Sequence, residues 1–266
     1  MAKPSLLVLL VAILVATAAA SSSVAADGFK LQEATATPPR ALFDGETPIE
    51  VRFRFAGPEP ADVAVAFLHE GTREVRRLER KRLEPGEEHV VTWNGLTDAG
   101  RAAPDGRYRV LVGPSHGQLG RAAEFALLGH IFPVRGPHGT RGPVGEFGAA
   151  RNGGRVHQGF DVTAACGTRL VAARGGTVVR RRFDARLDGN FVVIAGRKEG
   201  RTYRYSHLLS ASPLDRGERV RTGELVGRVG QTGNARSTPC HLHFELRQGK
   251  RFLDPKPYLL AWDRVR

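Results

Sequence analysis

The stretch Pro239-Cys240-His241-Leu242-His243-Phe244-Glu245 alternates imidazoles with apolar side chains. A β-strand sends residues i and i+2 to the same face, so His241 and His243 would point into one space while Leu242 and Phe244 pack behind them. Two imidazoles on one face can both bind a metal ion, or one can bind it while the other moves a proton. The stretch therefore predicts a core strand with a chemical site on one face.

Two motifs further upstream add polar groups of the same kind. His157-Gln158-Gly159-Phe160-Asp161 places a histidine four residues before an aspartate, and Tyr205-Ser206-His207-Leu208 adds another imidazole. A spacing of four puts His157 and Asp161 on the same side of either a strand or a helix. Gly159 between them lets the backbone bend or approach a neighbour closely.

These residue types make up the inventory of a hydrolytic metal site. Catalytic zinc takes three protein ligands, usually nitrogen or oxygen, and keeps a fourth position for water. His157, Asp161 and either His241 or His243 supply such a set. The imidazole left over and His207 then remain to move protons or to stabilise an oxyanion. The inventory suits hydrolysis of a peptide or amide bond.

The N-terminus predicts an export signal. Lys3 is followed by an apolar run from Leu6 to Ala20 and by small residues that end at Ala26. A basic start, a short apolar core and an A-x-A-like exit are typical of a signal peptide, here residues 1–26. The alternative is an uncleaved membrane anchor, but the run is shorter than the roughly 20 residues that span a bilayer. We therefore expect a protein secreted into the cell envelope of a bacterium, with no stable membrane span after cleavage.

The composition favours many short strands over long helices. The chain is 41% hydrophobic and contains 32 glycines and 16 prolines, regularly placed between apolar segments. The roughly 240 residues after the leader are enough for two modest domains. The sequence therefore predicts a mainly β protein with two domains, residues 27–128 and 129–266.

The positive charge is concentrated in the second of these domains. Residues 27–128 carry a net −2, from 14 Lys and Arg against 16 Asp and Glu, whereas residues 129–266 carry a net +14, from 25 against 11. A field of that sign favours an anionic polymer, and for an exported protein an acidic cell wall or membrane surface is the expected partner. The alternatives are a nucleic acid or merely a solvated arginine-rich surface.

The chain has two cysteines, Cys166 and Cys240. An even number in an exported protein suggests one disulfide. The alternative is that Cys240 is a metal ligand. In a strand, however, Cys240 points to the face opposite its neighbour His241, so the geometry favours the disulfide.

Residues 27–128 are expected to form a β-sandwich, with an entry segment over residues 27–48 and a linker over residues 113–130. Short strands at regular spacing are typical of antiparallel sandwiches. The string W-N-G…G…A-P-D-G-x-Y over residues 93–108 resembles the immunoglobulin-like domain of flagellar-hook-cap proteins. That resemblance implies a packing or interaction module without chemistry of its own.

The motifs of the second domain resemble those of the lysostaphin-type zinc metallopeptidases, peptidase family M23. H-x-x-x-D, Y-x-H-L and H-x-H-F-E follow one another in that order, with G-N-F-V-V-I before the second and D-P-K-P-Y-L after the third. The resemblance spans roughly residues 131–260. It implies an antiparallel-β peptidase domain that binds one zinc ion per chain.

The resemblance also implies a role for each matching residue. His157, Asp161 and His243 would ligate zinc, His241 would be the general base or proton shuttle, and His207 would position water or stabilise the oxyanion. Many members of the family have a glycine where Cys240 stands here. This departure concerns the wall of the cleft and the bond that is cut, and leaves the ligand set intact.

Members of the family cut peptide bonds in the stems or cross-bridges of peptidoglycan, which agrees with a signal peptide and a basic domain. Two other classes of function compete with this reading. A non-catalytic relative would bind the wall or activate another hydrolase, and such relatives typically lose metal ligands. A nucleic-acid binder would need stacking aromatics or a groove-reading element beside its arginines, and the sequence has neither. For the N-terminal domain, targeting, partner recognition and covering of the cleft all remain open, including a protein partner bound through it.

Overall fold

The computed structural model describes residues 28–44 and 46–264, so the predicted signal peptide lies outside the described residues. Within this part of the chain, no helix has the length and apolar character needed to cross a membrane. The same residues form eighteen strands, three 3₁₀ turns and one α-helix. The mainly β fold expected from the sequence is confirmed.

The first eight strands form two sheets around one hydrophobic core. They are β1 (Lys30–Thr37), β2 (Arg40–Leu42), β3 (Ile49–Ala56), β4 (Ala61–His69), β5 (Arg73–Leu83), β6 (His89–Trp93), β7 (Gly106–Pro114) and β8 (Gly120–Leu128). One sheet has the order β1-β3-β6 and the other β2-β8-β7-β4-β5. β3 alternates buried and exposed residues along its length, as a strand with one face on a core must. Trp93 closes this core, with its ring centroid 4.5 Å from that of Phe67.

The predicted linker over residues 113–130 was wrong. Half of it is β8, which pairs antiparallel with β7 and parallel with β2. Its small residues, Ala122, Ala123 and Ala126, hide the alternation that identifies a strand, and only Phe125 and Leu127 carry large side chains into the core. The predicted entry segment likewise contributes strand β1 to the first sheet. The likeness to an immunoglobulin-like domain stays a prediction.

The remaining strands surround a separate core, in the part of the chain that the sequence predicts to be the second domain. They are β9 (His138–Thr140), β10 (Phe160–Ala164), β11 (Arg169–Val171), β12 (Gly176–Asp184), β13 (Gly189–Gly196), β14 (Arg201–Leu208), β15 (Arg219–Val220), β16 (Leu225–Arg228), β17 (His241–Gln248) and β18 (Arg251–Leu253), followed by helix α1 (Lys256–Asp263). The 3₁₀ turns cover Gly142–Gly145, Asn152–Gly154 and Gly233–Ala235. The main sheet has the order β15-β12-β13-β14-β17-β10-β9, with β18 paired to β17, and β11 pairs with β16.

Strand β17 lies between β14 and β10 in the main sheet. Its apolar residues Leu242 and Phe244 are fully buried in the core of the second domain. Its register places His243 opposite Asp161 of β10 and opposite Ser206 of β14. The strand predicted from the alternating histidines is therefore present, and it borders both strands that carry the other motifs.

Cys166 and Cys240 form a disulfide, which confirms the pairing expected from the sequence. Cys240 belongs to the same core cluster as Leu242 and Phe244, on the face away from the two histidines of β17. The bridge ties the residue before β17 to the segment that follows β10. It therefore joins the chain segments next to the two central site strands.

The two cores are joined by contacts between residues near Phe43 and the second domain. The guanidinium of Arg174 lies 3.8 Å from the centroid of the Phe43 ring and donates a 2.8 Å hydrogen bond to the carbonyl of Gly129. The hydroxyl of Thr222 donates to the carbonyl of Phe43 at 2.6 Å. Asp44 accepts from Arg219 at 2.7 Å. The contact is thus polar at its rim and centred on one buried cation–π pair.

Replacing both cysteines, as Cys166→Ser with Cys240→Ser, is expected to lower the free energy of unfolding by about 2–4 kcal/mol. The bridge joins residues 74 positions apart, so its loss gives the unfolded chain much more conformational freedom. Thermal or denaturant unfolding of the oxidised protein and the variant measures the difference. Wild-type protein unfolded in the presence of a reductant is the control and should match the variant. Equal stability of the oxidised wild type and the variant would contradict this expectation.

Candidate metal centre and active-site cleft

The adjacent strands β10 and β17 bring the first two site motifs together. Asp161 lies opposite His243 in their antiparallel register, and His157 lies in the loop just before β10. Gly159 makes this approach possible. A Cβ atom there would lie 2.5 Å from the carbonyl oxygen of Phe244 and 2.7 Å from the ring of His243. The close backbone approach expected at this glycine is therefore real, and any side chain would push the two strands apart.

Three ligand-type atoms form a tight triangle at this point. Nε2 of His157 lies 2.8 Å from Nδ1 of His243, and both nitrogens lie near Oδ1 of Asp161, at 3.1 and 3.0 Å respectively. Asp161 and His157 are buried, and His243 is nearly so. A divalent ion bound at about 2.0–2.2 Å separates its ligand atoms by roughly 3.3 Å. The triangle therefore has close to the dimensions of one face of a metal coordination shell.

The hydrogen bonds behind these rings determine which nitrogen faces the centre. Nδ1 of His157 lies 2.8 Å from the carbonyl oxygen of Glu146, and since a carbonyl only accepts, that nitrogen carries the proton. Nε2 of His157 is then left with a free lone pair. His243 is arranged the other way round, because its Nε2 donates to Oε1 of Glu245 at 3.3 Å and leaves Nδ1 towards the centre.

Such an arrangement of donors needs a positive charge between them. Burial raises the pKa of Asp161, but the neighbouring imidazoles of His157 and His243 more than offset it and hold that pKa well below its usual range. Burial lowers the pKa of His243, yet the carboxylates of Asp161 and Glu245 outweigh it and raise the value to about 9. Either a proton on His243 or a metal cation satisfies the three atoms. Two imidazole nitrogens and one carboxylate oxygen fit a divalent metal ion.

His207 and His241 lie beside this triangle, with ring centroids 4.9 Å apart. Each donates its Nδ1 proton to a backbone carbonyl at 2.8 Å, His207 to Thr232 and His241 to Pro239. Both rings therefore present a free Nε2 lone pair. Nε2 of His241 lies 3.8 Å from Oδ2 of Asp161.

The burial of these two rings keeps them uncharged. Burial, with further repulsion from His243 and His241, lowers the pKa of His207 to about 3. Burial likewise lowers the pKa of His241. A neutral imidazole neither repels a neighbouring cation nor lacks the lone pair that accepts a proton. The structure thus brings together all five residues that the sequence singled out.

Sequence reasoning assigned no role to three other residues at the site. Glu245 orients His243, and its position two residues further along the same strand face was the available signal. Arg141 donates to Oδ2 of Asp161 at 3.1 Å, which leaves Oδ1 for the triangle. Asp188 accepts from Ser206 at 2.9 Å and, through its backbone carbonyl, from the amide of His207. Nothing in the local sequence pattern of the last two residues identifies them.

The five residues line one open cleft of about 630 Å³. Every described residue that lines it falls between Arg141 and Glu245, so the first eight strands contribute nothing to its wall. His130 and His138, which the sequence analysis did not include in the site, are not among the lining residues. His130 instead stacks on Trp262 and hydrogen-bonds with the hydroxyl of Tyr203 at 2.8 Å.

Residues 155–255 match the sequence model of peptidase family M23. This segment is an M23 peptidase domain. The match contains all five site residues and both cysteines.

Similar proteins match part of this chain. The Lipoprotein NlpD/LppB homolog of Pseudomonas aeruginosa is 31% identical over 147 residues, which is 55% of this chain and 45% of that protein. The Peptidoglycan DD-endopeptidase ShyC of Vibrio cholerae is 37% identical over 93 residues, 34% of this chain and 20% of that protein. The chain thus spans less than half the length of these curated relatives. Among solved structures, the catalytic domain of lysostaphin from Staphylococcus simulans is 27% identical with a TM-score of 0.40, and the match covers 47% of this chain and 92% of that one.

The affinity of the site for a divalent ion is expected to rise with pH. The pKa of His243 is raised to about 9, so below that pH a proton occupies its Nδ1 and must leave when a metal ion binds. Release of one proton makes the affinity increase about tenfold per pH unit and level off above pH 9. Competition between metal-stripped protein and a chromophoric chelator for Zn²⁺, measured from pH 6 to pH 8, tests this slope. A flat profile, after correction for the chelator's own protonation, would contradict it.

Glu245→Gln is expected to weaken binding of a Zn²⁺ probe by about 10–100-fold. The amide lacks the negative charge that orients His243 and increases the basicity of its Nδ1. The same chelator competition at a fixed pH measures the loss. Glu59→Gln, an exposed position outside the cleft, is the matched control and should bind like wild type. Equal affinities of the Glu245 variant and this control would show that Glu245 does not support the site.

Proposed function

We propose that this chain is an exported zinc endopeptidase that hydrolyses peptide bonds in the stems or cross-bridges of bacterial peptidoglycan. The observation that carries the proposal is the convergence of His157, Asp161 and His243 beside two neutral imidazoles in an open cleft of an M23 domain. The five residues serve no evident structural purpose as a group, since they place buried polar atoms around one point.

Zinc is the metal that this donor set fits best. It prefers two or three nitrogen ligands with a carboxylate, whereas magnesium and calcium take mainly oxygen. In such a site a zinc ion polarises a carbonyl group and makes water acidic enough to react at neutral pH. His157, Asp161 and His243 would hold it through the atoms of the triangle, one ion per chain.

The chain's own residues would handle the protons of the reaction. His241 has its Nδ1 proton committed to the carbonyl of Pro239, so its Nε2 accepts a proton from water at the reacting centre. The same nitrogen then returns the proton to the leaving amine. His207, oriented by the carbonyl of Thr232, accepts a hydrogen bond from the same water and holds it in line. A third group, Arg141, holds Asp161 in its ionised form.

Peptidoglycan as the substrate is supported by three separate observations. Relatives that are 37–39% identical over 92–95 residues bear the names of peptidoglycan endopeptidases or carboxypeptidase/endopeptidases. The predicted signal peptide would deliver the protein to the cell envelope. The net +14 of residues 129–266 suits a polymer that carries carboxylates or phosphates. A wall-bound localisation follows from the same charge.

The division into two domains near residue 129 belongs to the same proposal. The separate hydrophobic cores of residues 28–128 and 129–264 support it. Because no described residue of the first domain lines the cleft, we infer that this domain positions the enzyme or binds a protein partner, and that it does not cover the site.

Incubation of the mature protein with purified peptidoglycan tests the proposed activity. New amino termini are expected to appear, to disappear with a chelator, and to return when Zn²⁺ is added. His241→Ala should lower the rate by about 10²–10⁴-fold while zinc content is retained, because a general base contributes that much. Asp161→Ala should lose both zinc and activity. His116→Ala, which changes an exposed histidine outside the cleft, should leave the rate unchanged.

Two outcomes would overturn the enzymatic proposal. Retention on peptidoglycan without release of amino termini would favour a wall-binding or hydrolase-activating protein instead. Cleavage that persists in the Asp161 variant, or in the presence of excess chelator, would place the reaction at another site.

A further inference from the structure

Two arginines lining the cleft, Arg151 and Arg155, have no carboxylate within ion-pair distance among the described residues. The acidic groups of the cleft are all engaged elsewhere. Asp161 accepts from Arg141 at 3.1 Å, and Arg204 lies 2.8 Å from Asp188 and 3.5 Å from Glu245. The cleft therefore carries positive charge that its own side chains do not neutralise.

The side chain of Arg151 is partly buried and held in place by the backbone around it. It donates from Nη2 to the carbonyl of Val144 at 2.7 Å and from Nη1 to the carbonyl of Ala150 at 3.2 Å. The guanidinium group has five N–H donors, and these two bonds leave some of them unused. Burial lowers the pKa of Arg151, and repulsion from Arg141 and Arg155 adds to this despite the opposing charge of Asp161. An anion bound to Arg151 would offset both the cost of burying its charge and the repulsion from Arg141 and Arg155.

The loop that carries these two arginines is tied directly to a ligand of the proposed metal site. The amide of Arg151 donates to the carbonyl of Arg155 at 2.9 Å, which closes the loop around the turn Asn152–Gly154. Immediately beyond it, the amide of His157 donates to the carbonyl of Ala149 at 2.8 Å. The backbone of Arg151 and Arg155 is therefore tied to the segment that carries His157. A group bound by the two arginines is held in the same cleft as the metal triangle.

The other polar side chains of the cleft do not compete for an anion. Asn152, Gln158, Asn234 and Thr238 also line it and carry no charge. Arg141 is occupied by Asp161, and Arg204 by Asp188 and Glu245. Among the described residues that line the cleft, the guanidinium groups without a carboxylate partner are therefore those of Arg151 and Arg155, on the loop of residues 150–156.

We propose that Arg151 and Arg155 form a carboxylate-binding subsite that selects peptides with a free carboxylate beside the scissile amide bond. A planar guanidinium binds a carboxylate through two parallel N–H···O bonds, which gives both affinity and orientation. The enzyme then prefers acidic peptides over amidated peptides or uncharged glycine bridges. This inference rests on the proposed function, since it names the class of substrate that the same site accepts.

A pair of synthetic peptides that differ in one group tests the preference. One member carries a free carboxylate on the residue next to the scissile bond, and the other carries a carboxamide at the same place. The zinc-loaded wild-type protein is expected to hydrolyse the carboxylate peptide with a kcat/KM at least tenfold higher than that of the carboxamide peptide. The difference should lie mainly in KM and should shrink as the salt concentration rises.

Substitutions in the loop should reduce that ratio. Arg151→Lys keeps the charge but removes the planar guanidinium that can bind a carboxylate through two N–H groups. Arg155→Gln removes an exposed charged group, which in the structure donates a hydrogen bond to the carbonyl of Asn152. Each variant is expected to lower the ratio several-fold, and the double variant should bring it close to one. Arg182→Gln, which removes an exposed charge outside the cleft, is the matched control and should keep the wild-type ratio. Unchanged zinc content and thermal midpoint show that each variant is folded.

Binding of the corresponding product peptides, measured by calorimetry, separates this inference from the proposed activity. Equal kcat/KM and equal binding for the two peptides would overturn the carboxylate subsite while leaving the peptidase intact. A carboxylate preference in binding that is lost in the double variant, without hydrolysis of either peptide, would support the subsite and overturn the peptidase. If the ratio in the double variant stayed at the wild-type value, the preference would come from another part of the chain and the subsite would be wrong.

Discussion

Three lone pairs that point at one another in a buried place are the constraint on which this structure depends. His157, Asp161 and His243 come within 3.1 Å of each other, and in water each would be separately hydrated. Bringing them together without a cation is unfavourable, because burial removes the solvent that screens their mutual repulsion. The surrounding fold must therefore supply the binding energy that holds the donors together until a positive charge occupies the centre. That requirement explains why the site is built on the central strands of a sheet.

Strand β17 meets the requirement by having two functions on its two faces. Leu242 and Phe244 anchor one face in the core, and the opposite face carries His241 and His243. The disulfide at Cys240 adds a covalent tie next to the same strand. Any displacement of the histidines would have to disturb a packed core, which resists small shifts strongly. Rigidity of the ligands is thus a consequence of hydrophobic packing behind them.

The electrostatics of the cleft follow a similar division. Near the centre, burial keeps His207 and His241 neutral, and Arg141 and Glu245 orient Asp161 and His243. At its edge, the loop of residues 150–156 leaves arginine charge uncompensated. Two neutral imidazoles near the centre suit proton transfer, and uncompensated arginines at the rim suit the capture of an anionic chain. The net charge of residues 129–266 is therefore locally organised around the cleft as well as spread over the surface.

The sequence by itself determined the residue types and the local periodicity. The alternation from Cys240 to Phe244 predicted both faces of β17, the parity of the cysteines predicted their bridge, and Gly159 predicted a close backbone approach. These features depend on neighbours along the chain, which a sequence displays directly. It failed for β8, where a run of alanines hides the alternation, so a strand was mistaken for a linker.

Only the tertiary structure decided which atoms meet. Several features depend on contacts between separate segments: the use of Nδ1 by His243, the support from Glu245 and the pairing of Arg141 with Asp161. So does the placement in the cleft of Arg151 and Arg155, which have no carboxylate partner among the described residues. Such contacts are set by strand register and by loop closure, and the same residue types in another register would face solvent. Residue types and net charge can be read from the sequence, whereas the contacts between side chains of distant segments are determined by the fold.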